Sequence, residues 1–404
     1  MQNFAFPYSA LLAAVFLLSA FAVHRYAHDC ALTDWLKSLR TARILLAIGA
    51  VLLAVEGTWS IPLHRSVVFV LYALVLLFTL ALTVLDGLRR KASPAFLLSH
   101  AGIFLIVWAA LFGAPDVVRA KMIVGQEVPV RAAYADDGLV VPLPFEVSLV
   151  QFQVEYYPDS ISPRQFTSHL LVAGEPMTVA VNSPCSYQGY TFYQDSYDRE
   201  AGRYTVLQVV RDPWLPLIYA GMLLLAVGSL LLLFGQWRAK FIVPAALLLT
   251  VLFTALTVAK INFGTLMPAL RSWWFVPHLF IYMVAYSLMA LALMRWLVEA
   301  RKQEGHEHRM SNNLVRSSSA LLVIGMLTGS VWARQAWGDY WAWDPKENWA
   351  AVTWLLTLVH LHLQSKRGWQ AIALLILAFT ALQVTWYGVN YLPSAIDSLH
   401  TYTG

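Results

Sequence analysis

Apolar residues in this chain come in long unbroken runs, not in the stripe of a soluble helix or the alternation of a half-buried strand. A run of about twenty apolar residues is what a helix needs to cross a bilayer. The pattern predicts about ten such helices: Pro7–Val23, Arg43–Trp59, Ser66–Leu85, Pro94–Phe112, Trp214–Phe234, Phe241–Val258, Trp273–Val298, Ala320–Trp332, Ala350–Leu363 and Trp369–Tyr387. The first resembles a signal peptide in length. It has no Lys or Arg ahead of it and no clean small-residue cleavage site, so it reads as a helix. Between the fourth and fifth runs the pattern changes. Residues 139–150, 168–172 and 204–210 are short β-rich segments broken by Gly, Pro and Asp. They predict an antiparallel sandwich or small barrel within an insert spanning 115–213. The fold class expected is an all-α polytopic membrane protein with one extracytoplasmic β-rich domain.

Charge orients these helices. Arg25, Lys37, Arg40 and Arg43 fall in one loop region. Alternate loops carry Arg89-Arg90-Lys91, Arg238 and Lys240, Arg301, Lys302, Arg309 and Arg316, and Lys366-Arg367. In a ten-helix reading all lie on one side, which basic loops mark as cytoplasmic. Arg65, Lys260 and Arg271 lie sparsely on the other. Both ends of the sequence, the β-rich insert and the segment 388–404 then face outward. The stretch Arg301–Arg316, rich in His, Glu, Arg and Asn, reads as a cytoplasmic linker.

Composition agrees. The 404 residues are 59% hydrophobic and 13% charged, about half the charge of a soluble domain, and the mean hydropathy is +0.59. The net charge of +5 is mostly topological, so no nucleic-acid partner is expected. Cys30 and Cys185 are the only cysteines. They form no CxxC pair, which excludes a dithiol redox motif and a cysteine-rich metal site.

One segment concentrates the chemistry. WGDYWAWDPKENWA, Trp337–Ala350, holds Trp337, Trp341, Trp343 and Trp349, with Tyr340 among them and the charged knot Asp344-Pro345-Lys346-Glu347. An aromatic slab at a membrane face, with charges beside it, suits a flat amphipathic ligand such as a porphyrin. Rings stack on the macrocycle and charges answer its propionates. Asp344, Lys346 and Glu347 equally suit a helix start, with Pro345 at an early helical position.

Eleven histidines are sorted by this topology. His100 lies inside the fourth run, and His360 and His362 lie near the inner end of the ninth. An ionisable residue at such depth is costly and points to function, although a neutral imidazole bonded to a neighbouring helix carbonyl fits as well. His278 stands at the mouth of the seventh run, after Trp273-Trp-Phe-Val-Pro277, and His400 in the outer tail. Two imidazoles suit a six-coordinate haem iron. Two bis-histidine sites are thus expected: His100 with His362 inside, His278 with His400 outside. His306 and His308 read as a solvated H-x-H in the linker. His24, His28, His64 and His169 show no pattern and receive no role.

The tryptophan-rich segment resembles the WWD segment of the CcsA/ResC proteins, within a haem-handling superfamily that includes CcmC and CcmF. Thr328-Gly-Ser-Val-Trp-Ala333, Gln335-Ala-Trp337, WWFVPH (Trp273–His278) and NYLPSAIDSLHTY around His400 resemble it too. The first half resembles the ResB (CcsB) family through VNSPCSYQGYTFYQDSYD, Val181–Asp198, and Glu56-Gly-Thr58. The resemblance divides the chain into ResB-like helices at 1–114, the β-rich domain at 115–213, a fifth ResB-like helix at 214–240, and a CcsA-like region at 241–404 with its WWD segment at 332–349. It makes His278 and His400 the outer ligands and His100 and His362 the membrane ligands of haem iron. It makes Trp332, Trp337, Tyr340, Trp341, Trp343, Lys346 and Trp349 contacts of haem b, and it counts Asp344 with His278 and His400 as catalytic.

The resemblance implies a fused System II cytochrome c synthase of a bacterial inner membrane. Such a protein exports haem and joins it by thioether bonds to the CxxCH motif of apocytochrome c on the outer face. An extracytoplasmic thiol reductase and membrane lipid are the further partners implied. Holding haem still beside a thiol supplies much of the acceleration such a reaction needs. Two alternatives use the same residues: a haem transporter without ligase activity, and a b-type cytochrome passing electrons across the membrane. A structural scaffold would not need ionisable residues within its helices.

Overall fold

Serine caps set two of the predicted helix starts. Ser66 accepts the Phe69 N–H at 3.2 Å, and Ser93 accepts the Phe96 N–H at 3.3 Å with Pro94 as first helical residue. The computed structural model describes residues 5–27, 30–59, 61–126, 128–158, 161–199, 202–234, 247–252, 255, 265–301, 309–363 and 369–398. Its helices are α1 (Tyr8–Tyr26), α2 (Ala31–Leu36), α3 (Leu39–Trp59), α4 (Val67–Arg89), α5 (Pro94–Gly113), α6 (Leu215–Phe234), α7 (Phe275–Arg301), α8 (Arg309–Trp337), α9 (Pro345–Leu361) and α10 (Trp369–Trp386).

Among the described residues seven helices are long and apolar enough to cross a membrane: α1, α4, α5, α6, α7, α8 and α10. The expected ten included two weaker segments. Helix α3 carries Arg40, Arg43 and Glu56, and α9 has 17 residues. The expected helix Phe241–Val258 lies largely outside the described residues. The linker expectation needs correcting from Arg309 onward, where α8 already begins. Its polar first turns are buried: Ser311, Ser317, Ser318 and Ser319 are all closed off. Ser318 Oγ donates to the Ala285 carbonyl at 2.8 Å, and Thr357 Oγ1 donates to Ser319 Oγ at 3.1 Å. Hydroxyls between helices hold such a segment in the bundle although its hydropathy is low.

Among its described residues the insert forms eight antiparallel strands: β1 (Val118–Gly125), β2 (Val130–Tyr134), β3 (Val140–Tyr156), β4 (Pro163–Val172), β5 (Glu175–Ala180), β6 (Cys185–Tyr187), β7 (Tyr190–Tyr197) and β8 (Tyr204–Arg211). They make one sheet in the order β5-β4-β3-β2-β1-β8-β7-β6. The sheet curls into a barrel-like shape. Ala180 bridges to Ser183 at its closing edge, and Ser168 Oγ on β4 reaches Gln194 Oε1 on β7 at 2.6 Å. Alternate residues Met122, Val124, Val147, Leu149, Val172, Phe192, Leu207 and Val209 fill the interior. Of the two architectures expected, the single curled sheet is the one found.

The two halves interlock. Gly102 lets α5 approach α6 closely: a Cβ there would stand 2.5 Å from the Leu225 nitrogen. Helix α3 lies along α9, and a Cβ on Gly57 would meet Asn348 at 3.0 Å and Trp349 at 3.2 Å. Ser394, near the described C-terminal end, donates to the Gly57 carbonyl at 2.6 Å. The Asp116 carboxylate joins α1 to α6 by accepting from Ser9 Oγ, Trp214 Nε1 and the Phe6 N–H, each at 2.6 Å.

Candidate functional site

His278 sits in the first turn of α7 and lies in a notch on α8. The notch exists because Gly329 has no side chain, while Gly325, one helical turn earlier, leaves room in the same way for Tyr282. A Cβ on Gly329 would lie 2.6 Å from His278 Cε1. The Gly325 carbonyl accepts from His278 Nδ1 at 2.8 Å and from Thr328 Oγ1 at 2.9 Å. With Nδ1 donating, the lone pair is on Nε2, the tautomer of a metal-ligating imidazole. Tyr282 meets the ring edge-on at 4.8 Å, and Trp332 lies 5.9 Å away. Trp332 is itself anchored by its Nε1, which donates to the Ala269 carbonyl at 3.0 Å.

The start of α9 forms the opposite wall. Asp344 caps it, accepting the Lys346 N–H at 2.8 Å, and Glu347 closes the box by accepting the Asp344 N–H at 3.2 Å. Glu347 also accepts the Ala342 N–H at 2.8 Å. Of the two readings open for this knot, Asp344 and Glu347 thus have capping places. Lys346, half-buried, lines the cleft. The enclosed part of the cleft holds about 90 Å³, and the rest of it opens to the outside. Its walls are His278, Tyr282, Trp332, Trp341, Lys346 and Glu347, with Tyr286, Met326, Thr385 and Trp386 deeper in the bundle.

Only part of the slab faces this cleft. Trp337 packs behind Trp332 at 5.4 Å. Tyr340 turns to α5 and α6, among Trp108, Trp214 and Ile218, where burial pushes its hydroxyl up to about 12. Trp349 packs on Ala50, Leu53 and Ala54 of α3. Trp343 leaves in a left-handed backbone conformation, φ 60°, which costs a bulky residue about 1–3 kcal/mol. Its carbonyl accepts Asn348 Nδ2 at 3.0 Å, and its ring stacks on His64 at 4.4 Å and 7°. The slab therefore clamps the two halves together as well as walling the cleft.

His64 received no role from the sequence, yet it has one of the most specific environments here. Its Nδ1 and its backbone N–H both bond to Glu56, which is 4% exposed near the C-terminal end of α3. The available signal was Glu56 itself, a carboxylate at the end of an apolar run that calls for a nearby donor.

A second cluster joins the slab to the barrel. Arg334 is buried, bonds the Gly338 carbonyl, and lies over the Tyr193 ring at 5.7 Å. Gly338, at φ 89°, touches Tyr193 and Val210. Arg119 Nε pairs with Asp339 at 2.6 Å. Burial pushes the Asp339 carboxyl above its ordinary value, with the Arg119 and Arg334 guanidinium groups pulling the other way. Tyr193 and Gln194 belong to the Tyr-x-Phe-Tyr-Gln run noted above. Tyr193 presses on the slab, while Gln194 ties the barrel strands. Cys185 rests against Met177 at 3.8 Å, and burial pushes its thiol up to about 11, as suits a packing residue.

At the other end of the helices, α5 and the end of α9 bring His100 and His362 close enough to interact electrostatically. Each bonds through Nδ1 to a carbonyl of its own helix: His100 to Phe96 at 2.8 Å and His362 to Leu358 at 2.7 Å. Both lone pairs are then on Nε2. His360, two residues away, is fully buried between the Ala371 carbonyl at 3.2 Å and Asn312 Oδ1 at 3.4 Å. It is a satisfied core histidine. His400, the expected second outer ligand, lies outside the described residues.

Comparison with known proteins finds two families along the chain. Residues 214–396 match the family described as Cytochrome C assembly protein, and residues 94–202 match the ResB-like family. The first match begins ahead of the junction expected near Lys240 and takes in α6. The chain is 32% identical over 197 residues to the cytochrome c biogenesis protein CcsA of Chlamydomonas reinhardtii, covering 44% of this chain and 55% of that protein. It is 30% identical over 202 residues to CcsA of Mesostigma viride, covering 40% and 66%. It is 45% identical over 92 residues to CcsA of Nostoc punctiforme, covering 22% and 26%. The chain thus spans 26% to 66% of the length of these relatives. With its apolar helices, it is a multi-pass membrane protein that joins a ResB-like and a cytochrome c assembly segment.

Proposed function

We propose, for a chain that carries a ResB-like domain and a cytochrome c assembly domain in one polypeptide, that it serves cytochrome c biogenesis as a haem lyase. Its substrates are haem b and an apocytochrome bearing CxxCH. The observation that carries this reading is the cleft at His278. One imidazole with a fixed tautomer, one lysine and two tryptophans converge there. His278 takes one axial position on haem iron, and His400, by its resemblance, takes the other. Trp332 and Trp341 cover the macrocycle. Lys346 meets a propionate, a cation–carboxylate contact strengthened where water is excluded. The barrel, held on the slab through Tyr193 and Arg334, faces the apocytochrome. His100 and His362 bind haem on its way from the inner side. The membrane is a bacterial inner membrane, with attachment on its outer face and a separate thiol reductase keeping the peptide reduced.

Co-expression with an apocytochrome tests this. Covalent haem on the apocytochrome, stable to acid extraction, is expected. Haem bound to this protein but never attached would favour a transporter instead. Lys346→Ala is expected to weaken haem retention about tenfold, the loss of one charge-assisted contact, with Lys346→Arg retaining most of it. Haem titration of the purified variants measures both. Equal retention in Lys346→Ala would remove the propionate contact.

A further inference from the structure

The barrel reaches the wall of the cleft through a short segment ahead of α7. Residues 265–271 carry a tight turn, Pro268–Leu270, closed by the Leu270 N–H on the Met267 carbonyl at 3.0 Å and the Arg271 N–H on the Pro268 carbonyl at 3.1 Å. Pro268 and Leu270 are buried, and Leu270 packs with Phe275 and Trp332. The segment is therefore a stiff connector, with the barrel on one side and the cleft on the other. The barrel holds it at both ends. Tyr157 Oη donates to the Leu266 carbonyl at 2.9 Å. Arg271 Nη1 donates to the Arg164 carbonyl at 3.3 Å, with its guanidinium over the Tyr157 ring.

Asn182, in the run Val181–Asp198, holds the middle of the segment. Its Nδ2 donates to the Pro268 carbonyl at 2.8 Å and to the Ala269 carbonyl at 3.0 Å. Only the amide nitrogen can meet two carbonyl oxygens, so the partners fix which way this side chain points. Asn182 stands in the turn between β5 and β6 at φ 63°, a left-handed conformation that asparagine tolerates better than most residues. The Ala269 carbonyl accepts a second bond, from Trp332 Nε1 at 3.0 Å. One oxygen, with its two lone pairs, thus joins an amide of the barrel to an indole of the cleft. Trp332 lies 5.9 Å from His278 and lines the cleft. A continuous path runs from the turn at Asn182, through the Ala269 carbonyl, to the ring beside the imidazole.

We propose that Asn182 is a positioning residue for the cleft: from the ResB-like half it fixes the Ala269 carbonyl, and that carbonyl fixes the plane in which Trp332 meets haem. This inference rests on the haem reading of the cleft. Asn182 lines no part of the cleft and acts only through the segment and Trp332. Without its amide the segment stays on the barrel through Tyr157 and Arg271. Its loss therefore loosens the indole and does not undock the barrel. The wall of the CcsA-like cleft is in this way set in part by the ResB-like half.

The test follows variants of the purified full chain by haem titration and by the indole N–H resonances of its tryptophans, with Trp332→Phe identifying the Trp332 signal. Asn182→Gly deletes the amide and keeps the turn, since glycine adopts a left-handed conformation freely. It is expected to shift the Trp332 resonance and to weaken haem binding about fivefold, the usual size of an effect passed through intervening residues. Asn182→Asp should weaken it further, because a carboxylate then faces two carbonyl oxygens. Tyr157→Phe removes a bond at the end of the segment, and should leave the Trp332 resonance in place and haem affinity within about twofold. On a Trp332→Phe background Asn182→Gly should have no added effect on haem, because the path is already cut. An unmoved Trp332 resonance or an unchanged haem affinity in Asn182→Gly would overturn the proposal. So would an equal loss in Tyr157→Phe, which would make barrel docking the cause, or an undiminished loss on the Trp332→Phe background. If the unaltered chain takes up no haem, the haem reading of the cleft fails by itself, and the Trp332 resonance still decides whether Asn182 sets that ring.

Discussion

Replacing Gly329 by alanine is expected to abolish function while leaving the fold intact. The added methyl group would stand 2.6 Å from His278 Cε1 and 2.8 Å from Nδ1, inside any real contact distance. The α8 backbone is held by its own hydrogen bonds, so the imidazole must move. It then leaves the Gly325 carbonyl that sets its tautomer. A displacement of about 1 Å at a reacting centre costs on the order of a hundredfold in rate. Thioether yield and bound haem should both fall by about that factor. Thermal unfolding in detergent should shift little, since one methyl group enters a notch that opens on the cleft. His278→Gly provides the comparison: added imidazole should restore it, and should not restore Gly329→Ala. Unchanged haem content in Gly329→Ala would show that the notch does not position the ligand.

The second large effect is expected at the joint between barrel and slab. Arg334→Ala removes a buried guanidinium that bonds the Gly338 carbonyl, covers Tyr193 and offsets the Asp339 charge. Losing a buried hydrogen bond from a charged donor, and leaving its acceptor without that partner, costs about 1–3 kcal/mol. Asp339 still has Arg119, so the low end of that range is expected. The cost should appear as loosening of the barrel from the helices. Hydrogen exchange should rise at the slab loop 338–343 and at β7 and β8, with the α5–α6 contact unaffected. Arg334→Ala combined with Asp339→Asn should recover part of the loss, since the unpaired carboxylate is then absent. Unchanged exchange in Arg334→Ala would mean that the barrel is held elsewhere, by Asn182 on the Pro268 carbonyl and Tyr157 on the Leu266 carbonyl.

The legible parts of the sequence were those written in local pattern. Seven helices and the strand-rich insert follow from runs, alternation and turn residues, and Ser66 and Ser93 mark two starts. The helix from Arg309 was hidden, because the hydropathy of Ser311 and Ser317–Ser319 says nothing about hydroxyls finding partners on other helices. The aromatic slab was visible as composition but not as geometry. Sequence places Trp341 and Trp343 close together, and the left-handed turn at Trp343 sends one to the cleft wall and the other to His64 in the turn before α4. The notch at Gly329 was unreadable for a related reason. A glycine announces missing volume, not what occupies it. His64 went unassigned because its meaning lies in Glu56 and Trp343, one eight residues away and the other in the opposite half of the chain.

The absorption and magnetic circular dichroism spectra of the purified full-length protein, taken oxidised and reduced, test most directly whether the cleft at His278 holds haem. A low-spin, six-coordinate, bis-imidazole haem is expected, lost in His278→Gly and regained when imidazole is added. A colourless protein, or a His278→Gly variant with an unaltered haem spectrum, would contradict it.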